Sequence, residues 1–280
     1  MDKKKIKIAV TGASGFIGGH FTKASQHLFD FISLSHHETF EQIQRKLTTY
    51  RPDLVLHLGT YYTQDHKVAD IETLISSNIK WPNLLLEASS RSNISCLINI
   101  ESYWQNFQQE AGPANLYAAT KNAFAEILKF YSNRFQMKVY NLTLYDVFGP
   151  EDNRGKIISL LLDACVKQKT IETTAAQQVI NLTYIDDVIS GLQKSVDLIL
   201  NEKQKVFKNF EVCHSKEFPL IEVIKLITEF TGNSASILVG KKPYPQNIQM
   251  QPKHFYPTLP EWRAKISLES GIKNCIYAYK

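Results

Sequence analysis

The sequence has no long apolar run and few cysteines. These two features argue against a membrane protein, an exported protein and a metal-binding protein. None of its hydrophobic stretches approaches the ~20 residues of a membrane-spanning helix. The Lys-rich start leads into Ile6–Val10, which is too short for a signal-peptide core. No CxxC pair and no histidine at ligand spacing accompanies the four cysteines, Cys96, Cys165, Cys213 and Cys275. We therefore expect a cytoplasmic protein with reduced cysteines, no membrane segment and no metal site.

Glycine, proline and segregated charge are also scarce. The 12 glycines and 10 prolines are scattered over 280 residues, so we expect no long flexible linker. The net charge of +5 comes from 32 basic residues that are interspersed with 27 acidic ones, without a basic stripe or interleaved aromatics. This pattern disfavours a nucleic-acid binder. With 44% hydrophobic residues, the chain is long enough to form one compact body.

Strand and helix patterns alternate through the first half of the chain. Short apolar runs predict strands at 6–10, 29–35, 53–58, 96–100 and 138–144. Helical spacing predicts helices at 19–28, 39–49, 74–91 and 117–135. Pro82 predicts a kink or a break in the third of these helices. The alternation predicts an α/β fold with a doubly wound parallel sheet, and we expect all six strands of a Rossmann sheet before residue 150.

The second half of the chain is less regular. Patterns predict a helix at 157–167, a strand pair near Ile171 and 179–182, a helix at 184–200, a strand at 210–212 and a helix at 220–231. The remainder is rich in proline and predicts loops. We therefore predict a Rossmann domain over 1–150, joined by about 183–205. Residues 151–182 and 206–280 are predicted to form a smaller C-terminal substrate-binding subdomain.

A glycine motif lies where the first strand gives way to the first helix. Gly12, Gly15 and Gly18 fit GxxGxxG, which we expect roughly 0.02 times by chance in a chain of this composition. Glycine lets the backbone turn tightly and approach a pyrophosphate, whose charge then meets the free N–H groups of the helix N-terminus. The motif therefore predicts dinucleotide binding rather than a turn that only packs.

The end of the second predicted strand bears on the choice of dinucleotide. An acid there prefers a free ribose 2′-hydroxyl, whereas Ser33, Ser35, His36 and His37 offer hydroxyls and imidazoles that can donate to a 2′-phosphate. We therefore expect NADPH in preference to NADH.

Three side chains predict proton-transfer chemistry. Tyr117 and Lys121 form a YxxxK pair on one helix face, where a cation lowers the pKa of a phenol and prepares it to exchange a proton with a carbonyl or alcohol. A packed tyrosine beside a solvated lysine has the same spacing. Ser102 follows the strand at 96–100 and, at the carboxyl end of a parallel sheet, can polarise the same oxygen.

Together these residues resemble the extended short-chain dehydrogenase/reductases, or NAD-dependent epimerase/dehydratases, over nearly the whole chain. Thr11–Gly18 resembles the TGxxGFIG motif of that family, and Ser102, Tyr117 and Lys121 resemble its catalytic triad. The resemblance implies an NAD(P)-dependent oxidoreductase. The cofactor-binding residues that it implies are Gly12, Ser14, Gly15, Phe16, Ile17, Gly18, Ser35, His36, Leu58, Gly59, Thr60, Asn78, Tyr117, Lys121 and Val147.

Within the family, the segments 103–105, 115–121 and 144–150 are similar to CDP-abequose and CDP-paratose synthases. The similarity implies NADPH-dependent reduction of the 4-keto group of a nucleotide-linked deoxyhexose, a CDP-linked 3,6-dideoxyhexulose above all, in O-antigen deoxysugar biosynthesis. The substrate-contacting residues that it implies are Tyr61, Ser102, Tyr103, Trp104, Asp146 and Arg154. Lys156 is a second candidate for the diphosphate, and exposed basic side chains at these two positions are the alternative. Relatives imply a homodimer through the helix at 117–135 and the one before it, and burial of both helices within the monomer is the alternative.

Some alternatives remain open from the residues alone. Tyr103 and Trp104 follow Ser102 where dehydratases have an Asp-Glu pair and fucose-synthase-type enzymes a cysteine, which disfavours dehydration and 3,5-epimerisation. A nucleotide-sugar 4-epimerase with tightly held NAD and a non-catalytic NAD(P) sensor remain. Glu101 stands where the family usually has a small residue, and it leaves the detailed substrate open.

Overall fold

Six parallel strands form the central sheet over the residues that the computed structural model describes, 4–106, 112–233, 237–245 and 248–279. They are β1 (Ile6–Thr11), β2 (Phe29–Leu34), β3 (Leu54–His57), β4 (Cys96–Ser102), β5 (Lys138–Leu144) and β10 (Phe207–Val212). Their order is β10-β5-β4-β3-β1-β2, and every neighbouring pair is parallel. The strand order reverses at β1, because β2 lies on one side of it and β3 lies on the other. A crevice therefore opens between the loops that follow β1 and β3. The predicted doubly wound, Rossmann-like α/β fold is confirmed.

The sixth strand corrects two sequence predictions. Only five strands of the central sheet lie before residue 150, and β10 comes from the segment that we assigned to the substrate-binding subdomain. It pairs with β5 from Phe207 opposite Val139 to Val212 opposite Leu144. Pairing of strands so far apart in sequence has no local signal, so the pattern at 210–212 showed a strand but not its partner.

Helices cover both faces of the sheet because alternate strand residues point to opposite faces. Ile8 and Val10 pack into the core on the side of α1 (Phe16–Ser25) and α7 (Ile185–Asn201). Ala9, between them, packs on the other side with α2 (Phe40–Tyr50), α4 (Trp81–Arg91) and α5 (Leu116–Phe135). None of the described helices has the length and apolarity needed to cross a membrane.

The helix predicted at 74–91 is longer and is interrupted. It begins as α3 (Val68–Ile75), passes through a π-helical turn at Ser76–Lys80 and continues as α4. The N–H of Trp81 bonds the carbonyl of Ser76, five residues back, and Pro82 has no N–H to return the chain to the α pattern immediately. Pro82 thus marks a local change of winding at the start of α4.

After β5, the chain adds shorter helices and pairs of short strands. These helices are α6 (Ile157–Val166), α8 (Leu220–Thr231) and α9 (Leu268–Ala278). The paired strands are β6 (Asp146–Phe148) with β9 (Leu182–Tyr184), β7 (Ile171–Glu172) with β12 (Ile237–Leu238), and β8 (Val179–Ile180) with β11 (Phe218–Pro219). The predicted pairing of residues near 171 with 179–182 is therefore wrong, because β7 and β8 each pair with a later segment and Leu182 pairs with the earlier Asp146. No sequence pattern predicts α9, which lies in the region expected to form loops.

One buried carboxylate fastens the C-terminal segment to α7. Asp187, in the first turn of α7, accepts hydrogen bonds from the backbone N–H groups of Lys265 (3.0 Å) and Ile266 (2.8 Å). Its neighbour Asp186 is not part of this contact. Asp187 therefore holds a segment distant in sequence in place.

Candidate active site

The glycine motif forms a tight turn against α1. Gly12 has φ +68°, and its carbonyl oxygen accepts a hydrogen bond from the N–H of Gly15 at 3.0 Å. A Cβ at Gly18 would overlap that same carbonyl oxygen. Among the described residues no side chain caps α1, whose N-cap is Gly15, so the N–H groups of its first turn face the crevice. The turn therefore fits a pyrophosphate.

A cavity of about 480 Å³ opens beside this turn. Its walls include four residues at the end of β2 and beyond, Ser33, Ser35, His36 and His37, together with Ser14. The nearby carboxylate of Glu38 pairs with the Lys46 ammonium at 2.5 Å. The cavity wall thus presents hydroxyls and imidazoles where an adenosine ribose would lie.

Asn78 braces this cavity from behind. Its carboxamide oxygen accepts from the Thr60 hydroxyl (3.0 Å) and the Tyr61 N–H (2.8 Å), and its nitrogen donates to the Tyr61 carbonyl (2.9 Å) and to Thr120 (3.0 Å). Asn78 is 3% exposed and has a full set of partners. It therefore shapes the loop after β3 and ties it to α5, instead of lining the cavity itself.

A second cavity, of about 410 Å³, holds the predicted catalytic side chains. Ser102, Tyr117 and Lys121 all line it, and it shares Gly12, Gly15, Leu58 and Thr60 with the first cavity. Val147 also lies in its wall. The structure thus brings together the glycine turn, which comes from β1, and the YxxxK pair, which comes from α5.

Burial dominates the titration of the YxxxK pair. It raises the pKa of Tyr117, a shift that a hydrogen bond with Thr60 opposes. The pKa of Lys121 is lowered to about 8, mainly by burial, while the Glu101 carboxylate acts in the opposite direction. The Lys121 ammonium donates to the carbonyl of Ile100 at 2.7 Å. In this geometry the lysine is held by the backbone of β4, and the predicted direct lowering of the tyrosine pKa is not seen.

Ser102 is held by a short relay to α5. Its N–H donates to the side-chain oxygen of Gln105 at 2.8 Å, and the Gln105 nitrogen donates to Asn122 at 3.0 Å. The Ser102 hydroxyl oxygen accepts from the N–H of Trp104 at 3.3 Å. The hydroxyl is therefore oriented with its proton available to an oxygen in the cavity.

Glu101 lies next to the triad as a buried acid. It is 6% exposed, and its Oε1 has no hydrogen-bond partner in the described part of the chain. Burial raises its pKa to about 7, against the attraction of Lys121 and a hydrogen bond with Gln105. Across the sheet it is in register with Thr143 and Glu211, so polar side chains cross three buried strands here.

The third cavity, of about 650 Å³, continues outward from the catalytic one. The two share Tyr62, Tyr103, Trp104, Asp146, Arg154 and Lys156. The Tyr103 hydroxyl donates to Asp146 at 3.2 Å, and its ring stacks on Tyr145 with centroids 4.9 Å apart. These contacts fix one wall of the passage between the cavities.

Two basic side chains stand at this passage. Arg154 is held by Asp152 through two hydrogen bonds of 2.7 and 2.8 Å, and its guanidinium lies 4.2 Å from the ring centroid of Phe16. The Lys156 ammonium lies 3.9 Å from the ring centroid of Tyr62. Both cations are therefore positioned over aromatic rings at the entrance to the outer cavity.

Sequence reasoning missed part of the outer cavity and misplaced one residue. Tyr61, predicted to contact substrate, lines the first cavity and donates its hydroxyl to Asp70 at 2.9 Å, whereas Tyr62 lines the catalytic and outer cavities. The side chains point to opposite sides because the residues are adjacent in an extended loop. Gln178 and Gln249 also line the outer cavity, and their side-chain oxygens are buried without a partner among the described residues. Neither glutamine lies in a recognisable motif.

The chain is similar to known proteins in both sequence and fold. The sequence model of the NAD dependent epimerase/dehydratase family matches residues 8–208. The CDP-abequose synthase of Yersinia pseudotuberculosis is 27% identical, over 97% of this chain and 99% of that protein. The UDP-glucose 4-epimerase of Thermotoga maritima, solved with UDP-glucose, superposes with a TM-score of 0.85 at 19% identity, over 98% of both chains. The Thermus thermophilus UDP-glucose 4-epimerase, solved with NAD, gives 0.80 at 18% identity, over 98% of this chain and 99% of that chain.

Proposed function

The chain belongs to the NAD-dependent epimerase/dehydratase family, and from that membership we propose that it reduces the 4-keto group of a nucleotide-activated deoxyhexose with NADPH. A CDP-linked 3,6-dideoxyhexulose is the preferred substrate. The observation that carries the proposal is the continuity of the three cavities, with Ser102, Tyr117 and Lys121 at their centre. The similarity to a CDP-abequose synthase over the full chain supports the substrate class.

Bound NADPH supplies the hydride, and the residues of this chain manage the substrate oxygen. The Ser102 hydroxyl donates a hydrogen bond to the carbonyl oxygen and stabilises the charge that develops there. The Tyr117 hydroxyl gives its proton to the same oxygen. Lys121 lines the same cavity, and because burial lowers its pKa to about 8 it can exchange a proton near neutral pH.

The first cavity supports NADPH as the reductant. The glycine turn fits the pyrophosphate, and the side chains of Ser35 and His36 line the wall beyond β2 where a 2′-phosphate would lie. Glu38, whose carboxylate would repel that phosphate, is neutralised by Lys46 at 2.5 Å. These residues support the proposal that Ser35 and His36 would hold the 2′-phosphate of NADPH.

The outer cavity supports a nucleotide diphosphate on the substrate. Lys156 and the remaining N–H groups of Arg154 stand at the passage where a diphosphate would follow the sugar. Farther out, Gln178 and Gln249 line the cavity, and the side-chain oxygen of each is buried without a hydrogen-bond partner among the described residues. A carboxamide can both donate and accept, which suits the edge of a pyrimidine base.

Purified protein should consume NADPH when CDP-linked 4-keto-deoxyhexoses are supplied, and the decrease in near-ultraviolet absorbance should match the product formed. Tyr117→Phe should lower turnover by about 10²–10⁴-fold and retain NADPH binding, because only the proton donor is lost. Tyr277→Phe, at an exposed position on α9, is the matched control. Interconversion of C4 epimers without net NADPH consumption would replace this proposal with the 4-epimerase. Cofactor binding with no turnover of any sugar nucleotide would favour a sensor.

Two helices carry exposed apolar side chains that support a proposal for the assembly state. Ile71 and Ile75 on α3 and Phe130 and Phe135 on α5 are apolar side chains that are at least 40% exposed. We propose that these helices pair between two copies of the chain as a cytoplasmic homodimer. Light scattering of the purified protein should give twice the chain mass of 32.0 kDa. Phe130→Glu should then yield the monomer.

A further inference from the structure

A second cluster of reactive side chains lies at the carboxyl end of β10, behind Tyr145 in the wall of the catalytic cavity. Glu211 is on β10, Cys213 follows its last residue, and His254 comes from the loop beside it. One ligand atom from each lies within 4.8 Å of the others. Glu211 and Cys213 are 2% and 7% exposed, and because they are two residues apart on an extended chain they face the same side. The proposed reaction uses none of the three.

The Glu211 carboxylate is oriented by its surroundings. Its Oε1 accepts three hydrogen bonds, from the Tyr145 hydroxyl (3.0 Å), the Phe255 N–H (2.8 Å) and the Tyr256 N–H (3.2 Å). The other oxygen, Oε2, lies 2.5 Å from Nδ1 of His254 and 4.0 Å from the sulfur of Cys213. One oxygen is thus held in place, and the second is presented to the imidazole and the thiol.

The His254 ring is oriented from its far side as well. Its Nε2 lies 3.0 Å from a carboxylate oxygen of Glu217. A carboxylate that accepts the outer N–H of an imidazole fixes the orientation of the ring and leaves the other nitrogen facing inward, as is common for metal-binding histidines. With Glu217 in this position, Nδ1 of His254 is the nitrogen that faces Glu211 and Cys213.

We propose that Glu211 Oε2, Cys213 Sγ and His254 Nδ1 bind one zinc ion, with a water molecule as the fourth ligand. A carboxylate, a thiolate and an imidazole are all ligands that zinc accepts in tetrahedral sites. The carboxylate and the thiolate together carry two negative charges, which match the charge of the ion. Glu217 lies outside the ligand set and accepts the remaining N–H of the imidazole.

The observed spacing is close to what the ion requires. Zinc bonds of about 2.0–2.3 Å at tetrahedral angles separate neighbouring ligand atoms by about 3.3–3.6 Å. The Cys213–Glu211 separation of 4.0 Å is slightly longer, and the His254–Glu211 separation of 2.5 Å is shorter because a proton lies between those atoms. The His254 side chain is 43% exposed and belongs to a loop, so an outward movement of the ring can admit the ion.

Zinc binding would displace protons from this cluster. Burial, with Glu211 and Glu217 nearby, raises the pKa of Cys213 to about 12, so the thiol is protonated in the metal-free chain. The ion takes the place of that proton and of the one shared by His254 and Glu211. Its effect is to fasten the loop that carries His254 to β10. The same loop contributes Gln249 and Pro252 to the outer cavity, so zinc would stabilise the substrate wall.

Cobalt is the informative probe because its bond to a thiolate gives a charge-transfer band. The full chain, reduced and stripped of metal with a chelator, should bind one equivalent of Co²⁺ with that band, and Zn²⁺ should abolish it. Cys213→Ser should eliminate the band. His254→Gln should weaken binding at least ~10-fold, and Glu217→Gln by about 10–100-fold without changing the stoichiometry, because Glu217 acts through the imidazole.

Two substitutions outside the cluster serve as controls. Cys275→Ser removes another buried free cysteine and His27→Gln an exposed histidine, and both should bind cobalt like the unmodified chain. A cluster that is only an ion pair between His254 and its two glutamates would give no charge-transfer band. That result, or a band that survives Cys213→Ser, overturns the proposal. Neither readout depends on turnover, so failure here leaves the proposed reaction untouched.

Discussion

Replacing Glu101 by glutamine tests whether ionisation of this buried acid, which lies beside the triad, lowers the free energy of unfolding. Its pKa is raised from the ordinary 4.5 to about 7, chiefly by burial. The folded chain therefore binds this proton more tightly than the unfolded chain does between pH 4.5 and 7. Stability from this group is present at low pH and is lost as pH rises through that window. Glutamine has nearly the same shape and does not titrate.

The size of the effect follows from the shift. A change from 4.5 to about 7 corresponds to about 3 kcal/mol of unfolding free energy, at about 1.4 kcal/mol per pH unit. The stability of Glu101→Gln relative to the unmodified chain should therefore rise by about 3 kcal/mol between pH 4.5 and pH 7.

Urea unfolding at half-unit steps of pH, followed by circular dichroism, measures this difference directly. Glu72→Gln, at an exposed position on α3, should follow the pH dependence of the unmodified chain. Parallel stability curves for the unmodified chain and Glu101→Gln would show that Glu101 is solvated or paired in solution. The reasoning from its burial and its unpartnered oxygen would then be refuted.

Three further substitutions probe the site and the fold. Gly18→Ala should weaken NADPH binding and destabilise the fold by about 1–3 kcal/mol in thermal unfolding, because its Cβ would overlap the Gly12 carbonyl. Asp187→Asn should lower the free energy of unfolding in urea by about 1–3 kcal/mol, because the backbone N–H of either Lys265 or Ile266 loses its acceptor. Ser102→Ala should reduce kcat by about 10²–10³-fold in the NADPH assay with cofactor affinity unchanged, because it removes a donor to the developing charge.

Local signals allowed the cofactor side of the site to be predicted. A GxxGxxG turn and a YxxxK pair each lie within a few residues, so their spacing alone places glycines at a turn and two side chains on one helix face. The structure then supplies what spacing lacks, namely that the loops after β1 and β3 and the start of α5 meet at one cavity.

Features that depend on distant contacts were not predictable in this way. Cys213 and His254 are 41 residues apart in the sequence, so a search for ligands at short spacing passes over them. The sequence points to Tyr61 as a substrate contact, but a one-residue difference in an irregular loop reverses the direction of the side chain, and Tyr62 lines the catalytic and outer cavities instead. Asn78 was placed at the cofactor, yet its carboxamide is used up in holding the loop after β3.

The position of β10 also affects folding during synthesis and the choice of a crossover point in chimeras with relatives. A nascent chain that has emerged only to residue 150 exposes β5 as an edge, although residues 139–144 are all buried in the finished fold. Open apolar edges pair readily with other chains, so this intermediate needs protection until Val212 is synthesised. For the same reason, exchanging the C-terminal halves of two relatives at residue 150 transfers a strand of the cofactor-binding sheet along with the substrate pocket. A crossover after residue 212 would instead leave that sheet intact.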